Sequence, residues 1–170
     1  SVCFVDPRRF GRCLVGSSAI VEGLAGVAEL GPDAWNAPPD ASALAAKALD
    51  STRPVRVFLL DQAVLAGLGN IQVTEALWKA RLHPSKPAGD LRAADWTRVG
   101  ASIHWSLERT LRDLSGADAI TYVEEAGAPN PFVVYGRAKE PCPACSTPLV
   151  SSRVGGRTSV SCPRCQAPAR

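Results

Sequence analysis

Cys142, Cys145, Cys162 and Cys165 are the side chains of this sequence whose type and spacing most directly imply chemistry. They form two C-x-x-C pairs with sixteen residues between them, in PCPACSTPLVSSRVGGRTSVSCPRCQ. That spacing fits four thiolates closing on one tetrahedral zinc ion, each pair making a tight knuckle that puts two sulfurs on one side of the metal. Between the knuckles, Pro148–Arg153 and Arg157–Ser161 can pair as strands around Gly155-Gly156, a dipeptide that tolerates the positive φ of a two-residue hairpin turn. The segment is too short to bury a core of its own, so the metal would supply the missing folding energy. Two disulfides are the alternative, but they belong to oxidising compartments and nothing in the chain signals secretion. The expected site is structural, with one zinc per chain, and says little about what the ribbon touches.

Two other stretches hold residues suited to a ligand. Asp6-Pro7-Arg8-Arg9-Phe10-Gly11 lies between the short apolar runs Val2–Val5 and Arg12–Val15, a strand–loop–strand pattern. Its loop would present Arg8, Arg9 and Phe10 together, a set suited to DNA, where arginine reads groove or phosphate and an apolar wedge parts stacked bases. A buried Phe10 with solvated arginines is the bland alternative. Ala66-Gly67-Leu68-Gly69-Asn70 precedes a helical pattern. Glycines there let a backbone approach a ligand closely, and the free N–H groups of a first helical turn favour an anion such as phosphate. A tight interhelical turn with Asn70 as an ordinary N-cap is the alternative, and those five residues taken alone favour it.

The elements that must position these residues are mainly helical. Asp40 caps an expected helix to Leu49, with Leu44, Ala45, Ala48 and Leu49 on one face. Pro54 suits the first turn of a second helix that would turn Val57, Leu60 and Val64 inward and Arg56 outward. Val73, Ala76, Leu77 and Ala80 recur at helical spacing after Asn70, and His83-Pro84 ends that run. Asp90 is the expected cap of a long helix to about Asp113, striped by Trp96, Val99, Ile103, Leu107 and Leu111. His104 has no partner in view and reads as a surface or packing residue. Ile120–Val123 and Phe132–Tyr135 are short strand candidates, and Cys3 and Cys13 read as buried thiols.

Length and composition bound the remainder. A chain of 170 residues, 46% hydrophobic and 21% charged, describes a globular protein of one medium or two small domains. No apolar run is long enough to span a membrane, and SVCFVDPRRFG is no signal peptide, so a cytoplasmic setting is expected. The net charge of +3 is uneven: from Arg137 to Arg170 there are six Lys/Arg against Glu140 alone, and the other 136 residues are net negative. A basic ribbon on a slightly acidic body suggests an anionic partner, most simply nucleic acid, a plain soluble tail being the alternative. The chain has no methionine, and SVCFV reads as a strand already in progress. Both suggest a piece of a longer protein.

DPRRFG, FLLDQAVLAGLGNIQVTEALWKARLHP, VVYGRAKEPCPAC and GRTSVSCPRCQ occur in the order found in the formamidopyrimidine-DNA glycosylase / endonuclease VIII family. The resemblance runs from Asp6 to Gln166. It implies a mainly α fold with small β content: a remnant β-hairpin of an N-terminal catalytic domain (residues 1–20), a helix-two-turn-helix DNA-binding domain (34–134) and a four-cysteine zinc-ribbon finger (135–167). It further implies a base-excision-repair DNA glycosylase and AP lyase that acts on oxidised bases such as 8-oxoguanine and formamidopyrimidines in damaged double-stranded DNA. Such a protein would work as a monomer in the bacterial cytoplasm or nucleoid. Residue by residue, Asn70 with Gly69 resembles the phosphate-holding turn beside the extruded nucleotide, and Arg157 the finger arginine that contacts phosphate. Arg8 and Phe10, with Arg9 between them, resemble the side chains that fill the vacated stack, and Arg56 and Arg137 are further candidate DNA contacts. Extruding a base costs a few kcal/mol, so clamps and fillers of this kind must offset it.

Departures from the family pattern limit that reading. The family nucleophile is an N-terminal proline assisted by a glutamate, expected in a domain preceding Ser1, so no residue here is assigned to the chemical step. Arg56 stands where many members have lysine, and Gln72 where tyrosine is common. Ser115–Pro131 departs from the usual base-capturing loop, which leaves the lesion open. A non-catalytic DNA-binding module that has lost its catalytic domain is the alternative, and a zinc-ribbon scaffold for RNA or protein the more distant one.

Overall fold

The computed structural model describes residues 13–24, 26–114 and 130–168, which fall into two compact units, one ending at Leu30 and one beginning at Gly31. In the first unit residues 13–17 are irregular and α1 spans Ser18–Glu22. The strand expected to end at Val15 therefore does not form among the described residues. Extended Ser17 instead accepts at its carbonyl from the Ile20 and Val21 N–H groups, which starts a helix. Cys13 is exposed, not buried. The expected strand at Val2–Val5 and the DPRRFG loop lie outside the described residues, as do Cys3 and the expected strand at Ile120–Val123.

In the second unit the helical periodicity yields α2 (Ala41–Ala48), α3 (Val55–Leu60), α4 (Asn70–Lys79) and α5 (Ala93–Leu114), with a 3₁₀ turn at Ala88–Asp90. Asp40 caps α2 as expected, accepting from the Ala43 N–H at 2.7 Å. Leu44 and Ala48 are buried, but Leu49 falls at the C-cap and is exposed. In α4 the run Val73, Ala76, Leu77, Ala80 is wholly buried. It packs on the stripe Trp96, Val99, Ile103 of α5, while Leu111 lies nearly half exposed at that helix's far end. Phe58 of α3 meets Trp96 edge-on, with ring centroids 5.6 Å apart. Full burial of side chains this size contributes about 1.5–3 kcal/mol each. No helix among the described residues is long and apolar enough to cross a membrane.

Three expectations are corrected. Asp90 does not cap α5: the helix begins at Ala93, and Asp95 in its first turn accepts the Arg92 N–H at 3.0 Å. Helix α3 is rotated from the expected face, with Val55, Phe58 and Leu59 inward and Arg56 completely buried. Its six residues make under two turns, too few for apolar spacing to define a face. The third is Phe132–Tyr135, which is no strand. Three of its four N–H groups go to one carboxylate: Glu75 of α4, 2% exposed, accepts from Val133, Val134 and Tyr135 at 2.8–2.9 Å, while the Phe132 N–H donates to Asn130 Oδ1.

The ribbon follows. Strands β1 (Val150–Val154) and β2 (Arg157–Ser161) pair antiparallel, Val154 opposite Arg157, around Gly155 and Gly156 at φ 61° and 76°. A small second core of Val134, Leu149, Val160, Cys142 and Cys162 lies under the hairpin, with Trp78 of α4 packed against it.

Glu75 thus ties the segment leading into the ribbon to α4, and Glu75→Ala should leave three backbone donors without their acceptor. The expected cost is about 3 kcal/mol in urea unfolding. A change under about 0.5 kcal/mol, the size of a neutral surface substitution, would contradict that role.

Candidate nucleic-acid interface and metal centre

The metal centre is built by two knuckles side by side at the open end of the hairpin, one before β1 and one after β2. In the first, the Cys142 carbonyl accepts from the Cys145 and Ser146 N–H groups, with Ser146 at φ 61°. In the second, the Cys165 N–H donates to Cys162 Sγ at 3.3 Å. All four sulfurs lie within 4.8 Å of one another. A tetrahedral zinc with bonds of about 2.3 Å sets its sulfurs about 3.8 Å apart. The pairs Cys145–Cys162 at 3.4 Å and Cys142–Cys165 at 4.0 Å bracket that value, and every one of these cysteines is a free thiol, so the disulfide alternative falls. Burial, then the neighbouring thiols, push Cys165 up to about 12. Hydrogen bonds from the side chain and backbone of Thr147 hold Cys145 at about 6. Four thiolates this close repel one another, and a divalent cation among them is what permits all four to ionise.

A side chain the sequence gave no reason to single out locks the second knuckle to the helices. Buried Gln166 accepts the Cys162 N–H at 2.9 Å and donates to the Leu82 carbonyl at 2.8 Å. At the other end of the ribbon the turn meets α3 directly. A Cβ on Gly155 would stand 2.5 Å from Val57 Cγ2, so glycine is required there both for its positive φ and for this approach.

Seating the tip on α3 brings the predicted anion residues together. Arg56 Nη2 donates to Asn70 Oδ1 and, at 2.8 Å, to the Thr158 carbonyl in the ribbon. Arg157, exposed, is the next residue along that strand. Asn70 is not an N-cap: Gly69 occupies that position, and the Asn70 side chain is turned to Arg56. A Cβ on Gly69 would meet nothing within 4 Å, so the space before α4 is open. Arg56 Nε and Nη1 are buried without a hydrogen-bond partner, and no carboxylate pairs with Arg56 among the described residues. Its pKa is lowered, first by burial and then by the charge of Arg157, yet a guanidinium keeps its proton at neutral pH. The site therefore contains a cation with no counter-ion beneath the first turn of a helix.

Other candidates fare differently. Arg137 donates to the Phe132 and Asn130 carbonyls and to Glu140, so its guanidinium braces the loop before the ribbon. Gln72 accepts from Ser106 at 2.6 Å and donates to Thr110 at 3.1 Å, joining α4 to α5. His104 stacks face to face on Trp35 at 5.2 Å. Arg8, Arg9 and Phe10 lie outside the described residues.

The family model for the formamidopyrimidine-DNA glycosylase H2TH domain matches residues 30–121, more than half of the chain. The chain belongs to the formamidopyrimidine-DNA glycosylase H2TH family. The model of the zinc finger found in FPG and IleRS matches residues 139–168, and with the sulfur geometry it makes the cysteine cluster the site of one structural zinc ion. Among curated family members, the formamidopyrimidine-DNA glycosylase of Methylococcus capsulatus is 37% identical over 165 residues, covering 95% of this chain and 60% of the relative. That of Moorella thermoacetica is 39% identical over 153 residues, covering 88% and 56%. The chain thus spans about 60% of the length of the curated relatives it matches. Solved structures of the family are similar too. A Lactococcus lactis Fpg in complex with DNA containing an abasic site aligns at TM-score 0.70 and 31% identity, over 82% of this chain and 52% of that one. A MutM in complex with DNA containing carbocyclic 8-oxo-G aligns at TM-score 0.70 and 30% identity.

The seating of the ribbon tip is open to a double-mutant test. Gly155→Ala should cost about 1–3 kcal/mol, from overpacking and from the positive φ. Val57→Ala in the same chain should recover the steric part. Strict additivity of the two changes would mean that the tip does not touch α3.

Proposed function

We propose that this chain is the DNA-binding portion of a base-excision-repair DNA glycosylase and AP lyase. In this reading it clamps damaged duplex DNA around a flipped nucleotide, with oxidised purines of the 8-oxoguanine and formamidopyrimidine type as the lesions. The observation that carries the reading is the buried Arg56 guanidinium without a counter-ion, roofed by Asn70 and the Thr158 carbonyl and flanked by exposed Arg157. A buried charge acts through a low dielectric, so an anion arriving at the surface above it is attracted more strongly than by a solvated arginine. Phosphate fits that position: Arg157 offers charge-assisted donors, and the free N–H groups of Asn70, Ile71 and Gln72 open α4 beneath it. The relatives' names and the DNA in the similar solved complexes support the same reading.

Within this proposal the residues of this chain bind and orient, while base excision and lyase chemistry belong to groups it does not contain. Zinc supplies no chemical step here; a closed tetrathiolate has no open position, and it holds the hairpin that carries Arg157. Arg137 spends three of its five N–H groups on bracing the loop before the ribbon, which leaves two that a DNA phosphate would engage. A tetrathiolate site requires reducing surroundings, which supports a bacterial cytoplasm or nucleoid as the setting.

Arg157→Ala should weaken binding to an abasic-site duplex by about 1–3 kcal/mol at matched salt, and unchanged affinity would remove Arg157 from the site. The affinity of the unaltered chain should fall linearly on a log–log plot against salt; a flat response would point to a protein partner instead. Borohydride reduction of the chain on abasic-site DNA should leave no covalent adduct. An adduct would show that a nucleophile is present after all.

A further inference from the structure

Helix α4 reaches both sites. Asn70 stands at its first turn, Glu75 holds the entry to the ribbon at its middle, and Trp78 is its penultimate residue. The Trp78 indole Nε1–H donates to Cys142 Sγ at 3.4 Å. Cys142 is itself buried, and Trp78 is half-buried between the small ribbon core and Trp105 of α5, with ring centroids 6.4 Å apart. Lys79 caps the outer face of Trp105 at 5.0 Å, which restricts the tilted pair further. Indole N–H is a donor only, and this one has a sulfur as its partner. Among the four thiols, Cys142 is the one to which the helical bundle contributes a side-chain donor; the knuckle contacts of the others come from the ribbon's own backbone and from Thr147.

We propose that Trp78 is a positioning residue of the metal centre, donating its indole N–H to the zinc-bound Cys142 thiolate so that the helical bundle sets the metal's retention and shields that sulfur. A donor to a metal-bound thiolate draws charge off the sulfur and fixes the ligand's orientation, and such outer partners commonly change metal affinity 10–100-fold. The same withdrawal lowers the sulfur's nucleophilicity, since the thiolate is the reactive form. The chain therefore binds zinc as a two-part unit: ligands from the ribbon, and one hydrogen bond from the helix that also presents Asn70. This inference does not depend on the DNA reading and stands if that reading fails.

The test uses the zinc-loaded chain and its Trp78→Phe variant, which keeps an aromatic ring and loses the donor. Competition with pyridylazoresorcinol should show zinc affinity lowered about tenfold. Iodoacetamide labelling followed by peptide mass mapping should show Cys142 alkylated several-fold faster than in the unaltered chain, ahead of the other three ligands. Trp105→Phe, which loses the ring contact but no donor to sulfur, should change neither. Equal affinity, or an equal rise in labelling at all four cysteines, would reduce Trp78 to ordinary packing and overturn the proposal. A further measurement needs no variant. In the unaltered chain loaded with a spin-active cadmium isotope, the Trp78 indole proton should show scalar coupling to the metal through the sulfur. Absence of that coupling would overturn the proposal even where Trp78→Phe fails to fold.

Discussion

A single guanidinium joins the two halves of the second unit and leaves its charge unmatched. Arg56 is buried, donates to the bundle at Asn70 and to the ribbon at the Thr158 carbonyl, and finds no carboxylate among the described residues. Removing a cation from water is expensive unless it is paired. Two neutral acceptors and two unpartnered nitrogens do not balance that cost, so the fold maintains a local positive potential it does not itself use. Three further contacts keep the ribbon seated on the bundle. The glycine turn brings the ribbon tip onto Val57, Glu75 gathers the amides of the incoming segment, and Gln166 fastens the second knuckle to the end of the helical turn.

The division of labour between zinc and helix is correspondingly clear. The metal closes a segment that has only a handful of buried side chains of its own, and the bundle supplies the surface on which that segment is oriented. A ribbon folded but free to rotate would place Arg157 anywhere. A ribbon fixed at its tip, its entry and its second knuckle places Arg157 on the same surface as Asn70. Helix α4 is the shared member, since each of those attachments begins on it, beside it or on the loop that follows it.

What the sequence disclosed depended on whether the determining interaction was local. Each C-x-x-C knuckle, the Gly155-Gly156 turn, the Asp40 cap and the buried face of α4 are set by residues close to one another in sequence, and each appears as expected. Arg56 did not, because polarity argues for solvent and the partners that bury it are fourteen and 102 residues away. Phe132–Tyr135 has the apolar content of a strand, but a carboxylate 58 to 60 residues earlier takes three of its amides. Asp90 lost the cap to a helix that starts three residues later, where Asp95 reaches back to the Arg92 amide. Gln166 and Trp78 carried no signal beyond their proximity to stronger motifs. A polar residue flanked by core positions in a very short helix, as Arg56 is, is the nearest thing to a warning that the sequence contained.

In the function proposed above, the Arg56 charge serves a bound anion and not the free fold. The most direct measurement compares the unaltered chain with Arg56→Gln for affinity to an abasic-site duplex at matched salt, with a thermal melt of each protein alone. Binding should weaken about tenfold, near 1.4 kcal/mol, with a melting temperature equal to or above that of the unaltered chain. Equal affinity for the duplex would contradict it, as would a melting temperature lowered by several degrees, because the cation would then be stabilising the fold itself.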